Sequence, residues 1–226
     1  MQLTYYGHSC FGLSYQDEHI LLDPFISPNE LAKGIRIMDI PANYILLSHG
    51  HEDHIFDCEA IAKDKNSLVV ANFEIISWLS NKGITHVHPM NIGGKKQLGV
   101  FTVKMVNAIH SSCLPDGSNG GNPSGFVISV AGKNIYYSGD TALHYDMKII
   151  AEQYKIDLAI LCIGGNFTMD AEDAVVAAQW LNVKNVVAMH FDTFPYIAIR
   201  KQKAQEIFTK QGIGIQFMEI GSHITL

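Results

Sequence analysis

Short runs of alternating apolar and polar residues open the chain, a pattern typical of β-strands with one buried face. The first three runs lead up to Asp23-Pro24 and predict a meander. A loop with one helical turn is expected at 27–41, where prolines and a glycine interrupt the pattern. The strands predicted in this part are 2–6, 11–15, 19–22 and 44–47.

From residue 55 onward, helical periodicity alternates with short apolar runs, and a second group of β-rich runs starts at residue 100. Each half therefore moves from hairpins to α/β crossovers. This order predicts two related sheets packed face to face with helices outside, an αββα sandwich of the α/β class. The predicted helices are 55–63, 72–81, 142–153, 171–181 and 197–211; the further strands are 68–70, 85–88, 100–109, 125–130, 134–137, 157–161, 185–189 and 214–220.

Length and composition favour one compact domain over residues 1–226, since 47% of the residues are hydrophobic. The chain shows no leader pattern and no apolar run of about 20 residues, so a soluble, cytoplasmic protein without membrane contact is expected. A net charge of -6 without a basic block disfavours long nucleic acid as a partner. The four scattered cysteines predict free thiols, and the low charged fraction of 17% permits a homo-oligomer.

The hexapeptide His49-Gly-His51-Glu-Asp53-His54 follows the apolar run 44–48 and carries the strongest chemical signal. In extended backbone, side chains at i and i+2 face the same way, so His49 and His51 are expected to reach one metal ion together. If a helix starts after His54, Asp53 and His54 are presented toward a second ion. A solvated, His-rich turn is the alternative interpretation.

Three further polar residues, His110, Asp140 and His190, each follow a predicted strand. Their recurrence at strand ends favours one shared site, because polar groups there are costly to bury unless paired or coordinated. We therefore predict seven ligands for two ions. His49, His51 and His110 hold the first ion, Asp53, His54 and His190 hold the second, and Asp140 bridges them.

Imidazole and carboxylate ligands suit divalent ions of the Zn²⁺, Mn²⁺ or Fe²⁺ type, and we expect Zn²⁺ first, with Mn²⁺, Fe²⁺ or Ni²⁺ as alternatives. Ions about 3.5 to 4 Å apart can share one hydroxide as nucleophile. Asp53 is the predicted catalytic residue, orienting this hydroxide and carrying its proton. The expected reaction class is hydrolysis.

With this H-x-H-x-D-H motif and the later His, Asp and His, the chain resembles the metallo-β-lactamase superfamily over its whole length. It is most similar to a metal-dependent hydrolase branch related to ascorbate-6-phosphate lactonase. The resemblance implies a single αββα domain that hydrolyses a small ester, lactone, amide or phosphoester. The motifs of that branch are Gly7-His-Ser-Cys-Phe11, Leu22-Asp-Pro24, His110-Ser-Ser, Gly121-Asn-Pro-Ser-Gly125, Ser138-Gly-Asp-Thr141 and Gly164-Gly-Asn-Phe-Thr-Met169.

Residues outside the ligand set have supporting roles in this hypothesis. His8 either satisfies backbone groups in a turn or faces the site, and Asp23 either caps a turn or orients a ligand histidine. Gly165 and Asn166 are expected to line the pocket. Arg36 would contact an anionic substrate, although a solvated loop charge is the alternative. His144 either faces the pocket mouth or is a solvated histidine in the first turn of a helix.

Other functions stay open at this point. A phosphodiesterase or ribonuclease of the same superfamily is disfavoured by the lack of basic tracts and of a long inserted domain. Electron transfer at a di-iron centre is disfavoured because His51 stands where that branch usually has an acidic residue. A metal-binding protein without turnover is the remaining alternative.

Overall fold

The computed structural model describes all 226 residues, and strands form its centre. They are β1 Gln2–Gly7, β2 Cys10–Tyr15, β3 Glu18–Leu22, β4 Tyr44–Leu46, β5 Leu68–Ala71, β6 Val87–Pro89, β7 Lys95–Leu98, β8 Phe101–Asn107, β9 Ser124–Val130, β10 Lys133–Tyr137, β11 Leu158–Cys162, β12 Asn185–Met189, β13 Gly214–Gln216 and β14 His223–Thr225. Two seven-stranded sheets result, in the orders β14-β1-β2-β3-β4-β5-β6 and β13-β12-β11-β10-β9-β8-β7.

Both sheets change from antiparallel to parallel pairing in the same way. In the first sheet β1, β2 and β3 are antiparallel, and β3 to β6 are parallel. In the second sheet β7 to β10 are antiparallel, and β10 to β13 are parallel. Together with the helices, this confirms the predicted αββα sandwich. Because parallel strands run in one direction, their carboxyl ends meet at one edge of each sheet, where loops can build a site.

Helices connect the parallel strands, and two of them, Phe73–Asn81 and Ala171–Trp180, begin at a side chain that caps a free N–H group. Asn72 accepts a hydrogen bond from the N–H of Ile75, and Asp170 accepts one from Asp173. None of the helices combines the length and apolar character needed to cross a membrane. The α-helices are α1 Glu52–Ile55, α2 Cys58–Lys65, α3 Phe73–Asn81, α4 Asp146–Gln153, α5 Ala171–Trp180 and α6 Lys201–Lys210; 3₁₀ turns lie at Glu30–Ala32, Ile37–Asp39 and Pro195–Ile197.

Alternation along the strands divides the core into two parts. Leu22 packs in the large cluster between the sheets, together with Phe126 of β9, whereas its neighbour Leu21 packs on the other face. That outer cluster joins Leu21 to Ile61 of α2 and Ile75 of α3. The period-2 pattern of the sequence thus places the sheets against each other and the helices outside.

The structure differs from the predicted elements in several places. The helix expected at 55–63 is split into α1 and α2, and the helix expected at 197–211 becomes a 3₁₀ turn followed by α6. β7 was not expected, because its residues Lys95–Leu98 are mostly polar, as is common for an edge strand. β14 was not expected either, because three residues are too few to show alternation.

Asp23 links the two sheets at the edge where the strands end. It follows β3 and is fully buried. Its Oδ1 accepts a hydrogen bond from the backbone N–H of Ser48 at 2.7 Å, and its Oδ2 accepts one from the hydroxyl of Tyr137 at 2.7 Å. Ser48 follows β4 in the first sheet, and Tyr137 ends β10 in the second. The carboxylate therefore ties the end of one sheet to the end of the other.

We expect Tyr137→Phe to lower the free energy of unfolding by about 1 to 3 kcal/mol, since it removes a donor to a buried carboxylate. Tyr136→Phe is a matched control, because the hydroxyl of Tyr136 is buried without a hydrogen-bond partner. Tyr136→Phe should leave the free energy of unfolding unchanged or raise it slightly. Urea unfolding of both variants measures the difference, and equal losses would show that the Asp23 contact does not stabilise the fold.

Candidate metal centre

The hexapeptide after β4 gathers the first group of imidazoles. The ligating atoms of His49, His51 and His110 all lie within 4.8 Å of one another, and Nε2 of His49 is 2.9 Å from Nδ1 of His51. His110 reaches them from the loop after β8. Three imidazoles from two loops thus face one point, in the combination that the sequence predicts for the first ion.

A second group forms beside the first. Asp53, His54 and His190 have ligating atoms within 4.8 Å of one another, and His8 belongs to the same group. The helix begins at Glu52, earlier than expected, so Asp53 and His54 lie within its only turn. Asp53 reaches toward the loop after β12, with its Oδ2 3.9 Å from Nε2 of His190, and His54 lies between the two groups, its ring 4.1 Å from that of His49 and 5.8 Å from that of His190.

Asp140, after β10, lies between the two groups. Its Oδ2 is 2.8 Å from Nε2 of His190, 3.4 Å from Nε2 of His54 and 3.7 Å from Nε2 of His110. The other oxygen, Oδ1, is buried and has no hydrogen-bond partner. Asp140 therefore contacts members of both groups, as a bridging carboxylate would.

The structure brings together all seven residues that the sequence singled out, and the chemistry of these donors fits divalent transition metals. Nε2 of His54 and Oδ1 of Asp140 are buried without a hydrogen-bond partner. Such burial is costly, and a bound cation would compensate it. The assignment of the individual residues as ligands stays a prediction.

The carboxylates and imidazoles of the cluster shift one another's pKa values. Burial disfavours a protonated His54, but the carboxylates of Asp140 and Asp53 outweigh it and raise the pKa of His54 well above its ordinary value. Burial likewise opposes ionisation of Asp140, yet His190 and His54 hold its pKa well below the usual range. For His49, burial lowers the pKa well below the ordinary value, which keeps that imidazole neutral for binding a cation.

Hydrogen bonds orient two of these histidines from behind. Nδ1 of His54 is 2.8 Å from Oδ2 of Asp23, and Nδ1 of His49 is 2.9 Å from Oγ of Ser48. Each contact leaves Nε2 facing the centre, the arrangement by which carboxylates and hydroxyls commonly orient metal-binding histidines. The geometry matches the predicted orienting role of Asp23. Ser48 has the same kind of contact, although no sequence signal pointed to it.

His8 faces the site rather than only closing its turn. Its Nε2 is 3.1 Å from Oδ2 of Asp53, and its Nδ1 is 2.9 Å from Oγ1 of Thr193. Burial lowers the pKa of His8 to about 4, so the imidazole is neutral near pH 7. Thr193 was missed by sequence reasoning, since no spacing pattern relates two residues that are 185 positions apart.

The remaining predicted residues have different surroundings. Gly165 bonds only within its own loop, to Met169 and its neighbours, and Asn166 is exposed, so their lining role stays a prediction. The adjacent Gly164 packs so closely on His190 that an added Cβ would lie 2.2 Å from the carbonyl oxygen of His190. The next residue, Gly165, has a left-handed backbone at φ +69°, so the loop changes direction directly after its contact with His190.

Arg36 and His144 make no hydrogen bond or ion pair with the cluster. Arg36 has an exposed side chain that pairs with Asp39 at 3.5 Å, and its contact with an anionic substrate stays a prediction. The solvated interpretation of His144 is wrong: it lies before α4, it is buried, and neither ring nitrogen has a partner.

Solvent reaches the centre on the side of Asp53 and His110. The side chain of Asp53 is 26% exposed and that of His110 is 13% exposed, whereas His54 and Asp140 are buried. A substrate would therefore approach from this side and meet Asp53 at the opening.

Comparison with known proteins identifies the family of the chain. Residues 2–190 match the family model of the beta-lactamase superfamily domain. The chain is 48% identical to a UPF0173 metal-dependent hydrolase from Flavobacterium johnsoniae and 44% identical to the UPF0173 metal-dependent hydrolase YtkL from Bacillus subtilis, in both cases over the full length of both proteins. The structure of Igni18, a metallo hydrolase from the archaeon Ignicoccus hospitalis, superposes with a TM-score of 0.88 at 32% identity, covering 99% of this chain and 97% of Igni18. The chain therefore belongs to the beta-lactamase superfamily and is one of its metal-dependent hydrolases.

Proposed function

We propose that this protein is a dinuclear metal-dependent hydrolase that uses a bridging hydroxide to cleave a small ester, lactone, amide or phosphoester. The observation that carries the proposal is the pair of donor groups with Asp140 between them. One group would hold a single ion, and two adjacent groups that share a carboxylate are the arrangement of a two-metal site.

Each residue has a part in this proposal. His49, His51 and His110 would hold one ion, and Asp53, His54 and His190 the other, with Asp140 shared; Zn²⁺ is the first candidate, with Mn²⁺, Fe²⁺ or Ni²⁺ as alternatives. When bound, the two ions supply a hydroxide at neutral pH and polarise the oxygen of the scissile bond.

Asp53 would act as the proton carrier. It is the most accessible carboxylate of the cluster, and its Oδ2 is held by His8, which leaves it at the opening where a leaving group departs. Burial opposes its ionisation, but His54 and His8 together lower the pKa of Asp53 far below its ordinary value. It is therefore ionised at neutral pH and can orient the hydroxide as a hydrogen-bond acceptor.

The test of the function is elemental analysis of the purified protein, followed by a panel of esters, lactones, amides and phosphodiesters assayed with the metal-loaded form. Bis-p-nitrophenyl phosphate and structured RNA belong to the panel because they report on the phosphodiesterase or ribonuclease alternative. Two metal equivalents with turnover of an ester, lactone, amide or phosphoester support the proposal. Two equivalents without turnover on any substrate would instead favour a metal-binding protein.

His51→Ala should lose bound metal, because it removes one of three donors to the first predicted ion. The metal content should fall by about one equivalent, measured by mass spectrometry of the dialysed protein. His223→Ala, at an exposed position in β14, is the matched control and should keep the wild-type content. Full metal content in His51→Ala would exclude His51 as a ligand.

Asp53→Ala should reduce kcat by about 10²-fold or more, the range expected when a positioned proton carrier is removed. Its thermal unfolding temperature should change much less. Glu52→Ala, an exposed neighbour in the same helical turn, should retain turnover. Full turnover in Asp53→Ala would show that another group carries the proton.

Metal affinity should rise with pH through the neutral range. The raised pKa of His54 means that the metal-free protein keeps a proton there at pH 7, and a metal ion must displace it. Affinity therefore increases by up to about tenfold per pH unit until the pH passes the pKa of His54. Competition with a chelator of known proton affinity at pH 6, 7 and 8 measures the slope, and a flat profile would mean that His54 is already neutral in the metal-free protein or is not a ligand.

A further inference from the structure

The loops around the centre contain one cationic side chain. Each of these loops either carries a residue of the cluster or its supports, or bonds to a loop that does. The loops are 7–10, 23–29, 47–57, 107–124, 138–146, 163–170 and 190–200. Apart from bound metal, Arg200 at the end of the last loop is therefore the single positive charge in these loops that could pair with a phosphate or carboxylate of a substrate.

Two cations close to these loops in sequence are already paired. Lys201, just after the last loop, lies 3.3 Å from Asp192, and Arg36 pairs with Asp39. Acidic residues such as Asp116 and Asp170 outnumber Arg200 in the loops themselves. The net negative charge of these loops thus disfavours an anionic substrate.

Aromatic side chains are exposed on two of the loops around the centre. Phe167 is 52% exposed and Tyr196 is 75% exposed, and their rings pack edge to face with centroids 6.1 Å apart. Phe194 lies in the same loop as Tyr196, with its ring 5.5 Å from that of His8. We call Phe167, Phe194 and Tyr196 the aromatic rim.

The rim is fastened to the metal centre through its two loops. The loop of Phe167 touches the carbonyl oxygen of His190 at Gly164, and its Met169 donates a backbone hydrogen bond to Thr141, next to Asp140. The loop of Phe194 and Tyr196 begins directly after His190. Tyr196 is therefore carried by the same loop as His190, and Phe167 by a loop that bonds to the residue after Asp140.

Internal hydrogen bonds keep these loops ordered. The N–H of Asp192 donates to Ile197, and the side chain of Asp192 accepts from Ile199, which closes the loop of Tyr196 at its base. In the other loop, Phe167 donates to Gly165. The rings are thus presented at fixed places, and ordered aromatic surface beside a site favours binding of an apolar group.

We infer that the aromatic rim binds an aryl or alkyl group of an uncharged substrate, so that the enzyme acts on neutral apolar esters, lactones or amides rather than on phosphorylated ones. The inference rests on the proposed hydrolase function and narrows its substrate class. It departs from the anionic substrate that the predicted role of Arg36 implied.

Three methyl esters with the same scissile bond test the inference in the metal-loaded enzyme: methyl propanoate, methyl hydrocinnamate, which adds a phenyl group, and the para-carboxylate derivative of methyl hydrocinnamate. The phenyl group should raise kcat/KM by about tenfold, as expected for contacts with two aromatic rings. The added carboxylate should remove most of this gain. A higher kcat/KM for the carboxylate derivative than for methyl hydrocinnamate would overturn the inference.

The double variant Phe167→Ala/Tyr196→Ala should lose the preference for methyl hydrocinnamate and leave kcat/KM for methyl propanoate within about twofold of wild type. Tyr196→Phe, which keeps the ring, should retain the preference. Tyr145→Ala is the matched control, since Tyr145 is 68% exposed but packs on Trp180, near the far end of α5. An unchanged preference in the double variant would overturn the inference.

Binding of benzylacetone, a ketone with the shape of methyl hydrocinnamate that cannot be hydrolysed, separates this inference from the hydrolase proposal. Titration calorimetry should show about tenfold weaker binding to the double variant than to wild type or Tyr145→Ala. If wild type cleaves no ester but binds the ketone through the rim, the hydrolase proposal fails for esters and the rim inference stands. If the double variant binds the ketone as well as wild type does, the rim inference fails whatever the turnover.

Discussion

A carboxylate buried in a protein must be compensated by donors, and the compensation of Asp23 organises the rest of this molecule. Its oxygens accept from Ser48 at the end of one sheet and from Tyr137 at the end of the other, and they also hold the imidazole of His54. One buried side chain therefore joins the packing of the two sheets to the orientation of His54, a predicted metal ligand. A loss of packing at this edge would directly change the geometry of the centre.

The related order of the two sheets explains why the centre lies where it does. Each sheet turns parallel on one side, and its parallel strands end at the same edge. The hexapeptide follows β4 of the first sheet, while Asp140 and His190 follow β10 and β12 of the second. Each sheet alone thus supplies an incomplete set of donors, and packing of the two sheets completes the set.

Much of this arrangement could be predicted from local sequence, and the rest depends on contacts over long separations. The αββα order follows from hydrophobic alternation. The hexapeptide can be recognised as a metal-binding motif because its donor residues are close together in the sequence. Nothing local marks Thr193 as the partner of His8, or Tyr137 as a donor to Asp23, since these pairs meet only in the folded chain. The burial of His144 could not be predicted either, because a single histidine before a helix shows no sequence pattern that distinguishes a buried from an exposed position.

The contact between His8 and the loop of His190 and Thr193 spans most of the chain. At typical rates of translation, roughly 10 to 40 seconds separate the synthesis of its two sides. During that interval the nascent polypeptide displays the histidines of the hexapeptide without the partners that complete the second group. The second group of donors can therefore be complete only once most of the chain has been made, whereas the first group needs no residue beyond His110.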